Sequence, residues 1–541
     1  MRYSFSSCLR SNYGDYRPFS IKKCTKNIKI TLHRANRSRN HSNCEPFSIR
    51  LNFHSFPARQ LMSCRTLSEP SQAIVLTPPV AFLAPLRMEL AIMNFQNPAI
   101  QRRRLLQLGG LSALGTGGSF LAGCRDAESP LASSQATAVA NRYVETSLVA
   151  NQASYQAKFL EPGFVNAWGI AIRPAGAGGH FWVGAGGTSW QYVGDVQKSA
   201  DAALRMLFQD GLKKVAVPGA DALTSEASVG KTTGVVYNGA ELNSPNFRVS
   251  GQTAGGTAFD GSARFAFVTD SGKVSAWTDR SNSGSIVRVD GPAAEVFDGA
   301  ADGSAFFGVA IKPGTWDTMW LADFGTDPKI VTLDKNWKKV ATTGFSNPFG
   351  SGKNGAVVPC DPVPFNIQVL GSRVWVTFAV SKPDPAKSGS FQAAEEDALD
   401  ASQEAATANQ PNKGKLVEYD LTGQQVRIYD DAKRLNAPWG VAIAPADFGQ
   451  LSGALLVGNF GGAGRICAFD IDTGQYIDDL RDEAGKPVGI AGLWALQFGN
   501  GEGLGDSNAL YFAAGPKDEA DGVFGSLRVA GLPYAAGGAR T

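Results

Sequence analysis

The sequence is poor in the residues that carry most acid–base and nucleophilic chemistry. The chain of 541 residues contains four His and seven Cys, and His180 is the only histidine after residue 54. In the part of the chain after residue 54, a Ser–His–Asp triad or a histidine-based zinc site would have to use this one residue. No phosphate-binding loop or dinucleotide-binding fingerprint occurs in the same part of the chain. These absences argue against the commonest hydrolase, kinase and dehydrogenase sites.

Charged residues are scarce as well. They make up 18% of the chain, below the roughly 25% of a typical soluble domain, whereas glycine is frequent with 62 residues. The hydrophobic fraction of 43% is enough for a large core, which excludes a wholly disordered chain. Low charge with abundant glycine favours many tight turns over long surface helices.

The net charge of +3 is a sum of unlike parts. Residues 1–87 hold 14 Lys and Arg against three acidic residues, whereas residues 125–541 carry ten more acidic than basic residues. An acidic main body without a basic block argues against nucleic-acid binding.

Residues 101–124 have the layout of an export signal. Three arginines (102–104) precede an uncharged, moderately apolar and Gly-rich run, which ends in Leu-Ala-Gly-Cys at Cys124. This order resembles a twin-arginine signal followed by a lipoprotein cleavage site. The run is too short and too Gly-rich for a transmembrane span. We therefore expect residues 88–124 to direct export to the periplasm or cell envelope, with a lipid on Cys124 as the membrane anchor.

An export signal belongs near the start of a protein, and Met88 and Met93 are both plausible starts. Residues 1–87 are accordingly predicted to be a disordered leader or upstream sequence included by a wrong start. Residues 125–143 are predicted to be a linker, and residues 531–541 a tail.

A short phrase recurs in the body of the chain: a turn-like residue pair, Gly, an apolar–Ala–apolar run and Pro. Clear copies begin at Asn166, Phe307 and Asn436, and weaker ones at Thr233, Pro364 and Gly492. Strand-like runs rich in Val, Ile, Phe and Trp follow each copy, separated by Gly and Asp turns. The repeat exceeds the roughly 40–50 residues of compact propeller blades, so insertions are expected at 199–231 and 383–412.

The six units predict an all-β fold, a six-bladed β-propeller over residues 144–530. A ring of blades leaves no long sheet edge exposed, which a linear array of sheets would do. Residues 146–151 are predicted to add a strand to the last blade and so close the ring. No long helical period competes with this interpretation.

Several stretches resemble an uncharacterised family of exported bacterial proteins, some of whose members end in a PEP-CTERM sorting signal. They are Asn-Ala-Trp-Gly-Ile-Ala at 166–171, Asn-Ala-Pro-Trp-Gly-Val-Ala-Ile-Ala-Pro at 436–445, Leu-Val-Gly-Asn-Phe-Gly at 456–461, Gly-Leu-Trp-Ala-Leu-Gln-Phe-Gly at 492–499 and Leu-Tyr-Phe-Ala-Ala-Gly-Pro at 510–516. The resemblance covers about residues 144–530. It implies a six-bladed propeller and export, and it implies no activity, because the family has none established.

Polar residues close the strand-like runs at equivalent places in three units. Asp270, Asp323 and Asn459 stand at these ends, and such positions converge near the channel of a propeller. Carboxylate and amide oxygens suit Ca²⁺, so these residues are candidate calcium ligands. A six-bladed propeller with such a ring resembles the lactonases and esterases that activate water on Ca²⁺, and this resemblance implies a hydrolase site at the channel. The alternative is that each side chain caps a turn by bonding its own backbone.

A second set of residues lies at or beside the recurring phrase and could form a ligand platform near the channel. It consists of Asn166, Trp168, Asn366, Asn436, Trp439 and Trp494. The alternative for the tryptophans is packing between blades. A noncatalytic scaffold that binds a ligand or an envelope protein is favoured over the calcium-dependent hydrolase, because catalytic residues cannot be assigned uniquely.

Overall fold

The computed structural model describes residues 3–4, 48–49, 140–219, 230–241, 243–253, 255–279, 286–287, 291–383, 391–394 and 413–531. The chain divides into two compact units, Met1–Ala136 and Thr137–Thr541. In the first unit β1 (Tyr3–Ser4) pairs antiparallel with β2 (Ser48–Ile49). The predicted export signal and Cys124 lie outside the described residues.

Over the described residues, the second unit contains six blade sheets and one separate two-stranded hairpin. Five blades consist of strands that follow one another closely in the chain, whereas the sixth joins the first strands of the unit to its last three. Blade one consists of β5 (Ala167–Ala171), β6 (Phe181–Ala185), β7 (Thr188–Tyr192) and β8 (Lys214–Ala216). Blade two consists of β9 (Thr232–Tyr237), β12 (Phe265–Thr269), β13 (Lys273–Trp277) and β14 (Ala294–Asp298), with a separate hairpin of β10 (Arg248–Gln252) and β11 (Ala258–Ser262). Blade three consists of β15 (Phe306–Ile311), β16 (Thr318–Asp323), β17 (Lys329–Asp334) and β18 (Lys339–Val340).

The other three blades follow the same plan. Blade four consists of β19 (Pro362–Leu370), β20 (Arg373–Pro383), β22 (Gly414–Asp420) and β23 (Gln425–Ile428), with β21 (Phe391–Ala393) paired to β20. Blade five consists of β24 (Pro438–Ile443), β25 (Leu455–Asn459), β26 (Ile466–Phe469) and β27 (Tyr476–Asp479). Blade six consists of β28 (Leu493–Phe498), β29 (Leu510–Ala514), β30 (Val523–Val529) and β3 (Tyr143–Ala150), and β4 (Phe159–Leu160) runs parallel to β3.

Short 3₁₀ helices occur in the connections between these strands, at Ala153–Tyr155, Ala202–Arg205, Ala300–Asp302, Lys353–Gly355 and Gly449–Leu451. Over the described part of the chain, no helix is both long and apolar enough to cross a membrane.

The strand order explains the apolar runs of the sequence. The inner strand and the second strand of a blade are covered on both faces by the neighbouring blades, so they read as continuous apolar runs rather than as an alternation. All five residues of β6 and of β25 are buried, for example. The outermost strands are short and far more exposed, and both residues of β18 face solvent.

The ring is closed by the N-terminal strand of the second unit. The inner strands β5, β9, β15, β19, β24 and β28 contact one another in this order, and β28 contacts β5. Strand β3 pairs with β30, with Thr146 opposite Ser526. The predicted six-bladed propeller is confirmed, and the predicted closing strand is present as part of β3.

Glycines of the recurring phrase allow neighbouring inner strands to approach closely. A Cβ atom on Gly169 would lie 2.7 Å from the backbone nitrogen of Val235 in blade two. A Cβ atom on Gly440 would lie 2.4 Å from the carbonyl oxygen of Trp494 in blade six. Both neighbours are backbone atoms, which cannot rotate away as a side chain can. The recurrence of glycine therefore reflects the tight packing of strands around the axis.

Candidate functional site

Aromatic side chains from five inner strands meet at the centre of the ring. Trp168 of blade one stacks on Trp494 of blade six, with ring centroids 3.7 Å apart, and Trp439 of blade five lies edge-on to both. Phe307 of blade three lies 5.5 Å from Trp168, and Phe365 of blade four lies 5.7 Å from Trp494. Because blades one and three are not neighbours, the contact between Trp168 and Phe307 crosses the axis. We call these five side chains the aromatic floor.

Hydrogen bonds between blades fix the orientation of the aromatic floor. Trp439 Nε1 donates to the carbonyl oxygen of Phe307 at 3.0 Å, and Trp494 Nε1 donates to Asn166 Oδ1 at 2.9 Å. Asn366 Nδ2 donates to the carbonyl oxygen of Trp439 at 2.9 Å. The structure thus brings five of the six predicted platform residues together.

Asn436, the sixth predicted platform residue, lies just before β24. Its backbone N–H donates to Asn459 Oδ1 at 3.0 Å. The backbone of Asn436 is therefore bonded to the end of the second strand of its own blade, whereas the side chains of Asn166 and Asn366 bond residues of the aromatic floor.

Two members of the aromatic floor, Phe307 and Phe365, are not among the predicted platform residues. The sequence contained a signal for them: Phe307 precedes Gly308 in the recurring phrase, as Trp168 precedes Gly169. Phe365 precedes Asn366, which replaces the glycine in the fourth copy. Aromatic residues at this position, equivalent to the one before the recurring glycine, form the floor in five of the six copies, and Thr233 occupies it in the second copy.

A channel of about 390 Å³ extends from the aromatic floor along the axis. All six inner strands line it, for example through Ile170, Val235, Val309, Ile367, Trp439 and Leu496. These side chains are buried, whereas those lining it near the strand ends, such as Ile172, Tyr237, Leu370 and Gln497, are half-exposed. The channel is therefore closed by the floor at the starts of the inner strands and open at their ends.

The predicted calcium ligands do not line this channel. Asp270 Oδ1 accepts from the backbone N–H groups of Gly230 and Lys231, at 2.6 and 2.7 Å. Asp323 Oδ1 and Asn459 Oδ1 accept in the same way from the residues that precede β15 and β24. Each side chain ties the end of a blade's second strand to the start of its inner strand.

These hydrogen bonds reduce the number of oxygen lone pairs that the three predicted ligands can offer to Ca²⁺. Calcium requires six to eight oxygen ligands, and here one oxygen of each predicted ligand already accepts backbone N–H groups. Within the described ranges, no three His, Cys, Asp or Glu side chains are grouped so that they could hold a metal ion. The calcium site stays a prediction.

Burial changes the titration of two of these carboxyl groups. It raises the pKa of Asp270 to about 6, although Lys231 and two backbone N–H groups act in the opposite direction. Burial also raises the pKa of Asp323. A carboxyl group whose pKa is higher in the folded state contributes less to stability as pH rises through the folded-state value.

We expect the substitution Asp270→Asn to become more favourable as pH rises. The amide keeps an oxygen for Gly230 and Lys231 but removes the buried charge, so the melting temperature of the variant relative to the native protein should increase between about pH 4 and pH 7. Thermal unfolding at pH 4, 5, 6 and 7 measures this difference. Asp298→Asn is the control, because Lys273 lowers the pKa of the exposed Asp298 from 3.8, so its contribution to stability changes mainly below this range and the difference should stay nearly constant from pH 4 to 7. A pH-independent difference for Asp270→Asn would contradict the prediction.

Two other side chains of types that often act in catalysis, a histidine and a cysteine, lie in separate blades. His180 Nε2 lies 2.9 Å from Asp210 Oδ1 in blade one. In blade five, burial raises the pKa of the Cys467 thiol, which disfavours the nucleophilic thiolate. Neither group reaches the channel lining.

Comparisons with known proteins give relatives without an assigned activity. No family model matches the chain. It is 31% identical over 211 residues to uncharacterized protein R648 of Acanthamoeba polyphaga mimivirus, which is 39% of this chain and 46% of that protein. It is 30% identical over 211 residues to uncharacterized protein L690 of the same virus, 39% of this chain and 49% of that protein. The chain thus spans about half the length of the curated relatives it matches, and these relatives are viral, not exported bacterial proteins.

Two solved structures show distant likeness to this chain. A protein of unknown function from Bacteroides caccae has a TM-score of 0.30 and 12% identity, over 61% of this chain and 88% of that one. BBS1N in complex with ARL6DN has a TM-score of 0.31 and 13% identity, over 70% of this chain and 82% of that one. The assignment of the propeller rests on the strand pairing described above.

Proposed function

We propose that the chain is a binding scaffold that takes a small ligand into the channel above the aromatic floor. The observation that carries this proposal is a channel lined by all six inner strands, closed at one end and open at the other. Pockets of roughly 300–1,000 Å³ with few polar groups are the usual sites for small ligands, and a volume of about 390 Å³ falls in this range.

The packing around the channel supports a preformed site. Its walls are the most central strands of six blades, and its base is held by the hydrogen bonds of Trp439 and Trp494. A site of this kind loses little conformational entropy when a ligand enters, which favours binding.

A fragment library with neutral, anionic and cationic members tests the proposal. Some fragments should raise the melting temperature of the full chain, and Gln497→Trp, which fills the mouth of the channel with an indole, should abolish the increase. Gln425→Trp is the matched control, because Gln425 is an exposed glutamine on the outermost strand of blade four. The proposal fails if no fragment raises the melting temperature of the native protein. It also fails if the fragments stabilise Gln497→Trp as much as they stabilise the native protein.

We also propose that the scaffold is exported and anchored in the cell envelope through a lipid on Cys124. The ordered signal features of residues 101–124 support this, as does the resemblance to exported bacterial proteins. In bacteria that express the full chain and receive a labelled fatty acid, the label should enter the native protein and Cys360→Ser but not Cys124→Ser. Label in the Cys124→Ser variant, or recovery of the native protein only in the cytoplasm, would refute the proposal.

A further inference from the structure

The side chains that line the channel carry no formal charge. No Asp, Glu, Lys, Arg or His is among the described residues that line it, and aliphatic side chains predominate. Polar side chains are confined to a few places: Tyr237, Trp316, Asn366, Gln368, Trp439 and Gln497.

Most of this polar capacity is already used within the protein. Asn366 bonds Trp439 through its nitrogen and the N–H group of Ile367 through its oxygen. Gln368 Oε1 accepts from the backbone N–H group of Val441 at 3.2 Å, and Gln497 Nε2 donates to the carbonyl oxygen of Phe498 at 2.9 Å. The remaining amide groups are Gln368 Nε2, a donor, and Gln497 Oε1, an acceptor, on half-exposed side chains toward the open end.

A channel lined by uncharged, mostly apolar side chains should favour neutral ligands over charged ones. A charged ligand would lose its hydration in the channel and meet no opposite charge, which is costly. A neutral ligand would gain free energy from the apolar surface that it buries against the aliphatic walls and Trp439. Hydrogen-bonding groups on such a ligand belong at its outer end, where Gln368 and Gln497 lie.

Size and closure limit the ligand further. A channel of about 390 Å³ closed by Trp439 and its neighbours does not admit a folded protein, and an extended polymer cannot thread through it. The structure therefore favours a molecule that enters from one side and fits completely.

We infer that the channel selects neutral, largely apolar small molecules, with an uncharged hydrogen-bonding group directed to the mouth. The inference rests on the proposed function and adds the class of ligand and the basis of its selectivity. Gln497 is a specificity-determining residue in this view, because a charge at its position would change which ligands the mouth accepts.

Two dyes with the same aromatic skeleton test the inference. N-phenyl-1-naphthylamine is neutral, whereas 8-anilino-1-naphthalenesulfonate carries a sulfonate, and both gain fluorescence in apolar sites. The full chain should bind the neutral dye at least about tenfold more tightly than the sulfonate. Gln497→Lys should reduce this preference by tightening sulfonate binding, and Gln425→Lys, on an outer strand, should leave both affinities unchanged.

The outcomes separate the inference from the proposed function. Equal binding of both dyes, or neutral-dye binding that survives Gln497→Trp, would overturn the inference, as would binding of neither dye. Stabilisation by charged fragments that Gln497→Trp abolishes would leave the channel as a ligand site and overturn only the class of ligand. If no fragment stabilises the native protein, the proposed function itself fails.

Discussion

Replacing Arg528 with alanine is expected to destabilise the propeller by about 3–5 kcal/mol at pH 7. Arg528 lies in β30, and its Nη2 donates to Asp195 Oδ2 at 2.7 Å and to Asp506 Oδ2 at 3.1 Å. All three residues are at least nine-tenths buried. Without the guanidinium, two carboxylates from blades one and six would remain buried without their cation, close to the blade that closes the ring. Urea unfolding of the native protein and the variant measures the loss.

The pH dependence of this loss distinguishes buried charge from lost packing. Burial raises the pKa of Asp506, and Arg528 opposes that effect. In the variant the carboxyl group should take up a proton at higher pH, so the deficit should shrink as pH falls from about 7 to 5. A deficit that is constant over this range would indicate that Arg528 acts mainly through packing.

A surface ion pair provides the control for Arg528→Ala. Arg248 and Asp260 are 2.6 Å apart, but their side chains are 44% and 39% exposed. Solvent screens such a pair, so Arg248→Ala should cost no more than about 1 kcal/mol. Arg528→Lys should lie between the two alanine variants, because lysine keeps the charge but cannot donate in two directions from a planar group. Equal losses for Arg528→Ala and Arg248→Ala would refute the prediction.

The recurring phrase predicted the inner strands because two constraints act on the same few residues. A glycine such as Gly440 is required where inner strands touch, and the apolar residues after it are covered on both sides. The outermost strands of blades one and three were not predicted, since β8 and β18 are only three and two residues long and largely exposed. The insertion predicted at 199–231 in fact contains β8, the outer strand of blade one.

The predicted site residues show a different limit of sequence analysis. Repetition predicts that Asp270, Asp323 and Asn459 occupy equivalent places, and in the structure each bonds the start of its own blade's inner strand. The sequence does not show whether an oxygen at a strand end faces the axis or the adjacent backbone, because one bond rotation separates the two. The pairing of Arg528 with Asp195 likewise depends on closure of the ring, since 333 positions separate the two residues.

Replacing Trp494 with alanine is expected to cost about 3–5 kcal/mol, the range for large buried aromatic residues. Trp494 is fully buried, and it stacks on Trp168 at 3.7 Å and on Phe460 at 3.9 Å. Its loss would leave a cavity in the aromatic floor and Asn166 Oδ1 without its indole donor. The free energy of unfolding from urea titration measures the effect.

Two further variants separate packing from hydrogen bonding in the aromatic floor. Trp494→Phe keeps a stacked ring but loses the donor to Asn166, so it should lose less than Trp494→Ala. Trp337→Ala is the control for removal of an indole, because Trp337 is only partly buried and lies away from the axis, against Phe247. Dye binding should weaken in Trp494→Ala, since Trp439, the floor residue that lines the channel, would lose the indole against which it packs. If Trp494→Ala retains full stability and native dye affinity, the five side chains do not form a packed floor, and the channel has no fixed base on which to select a ligand.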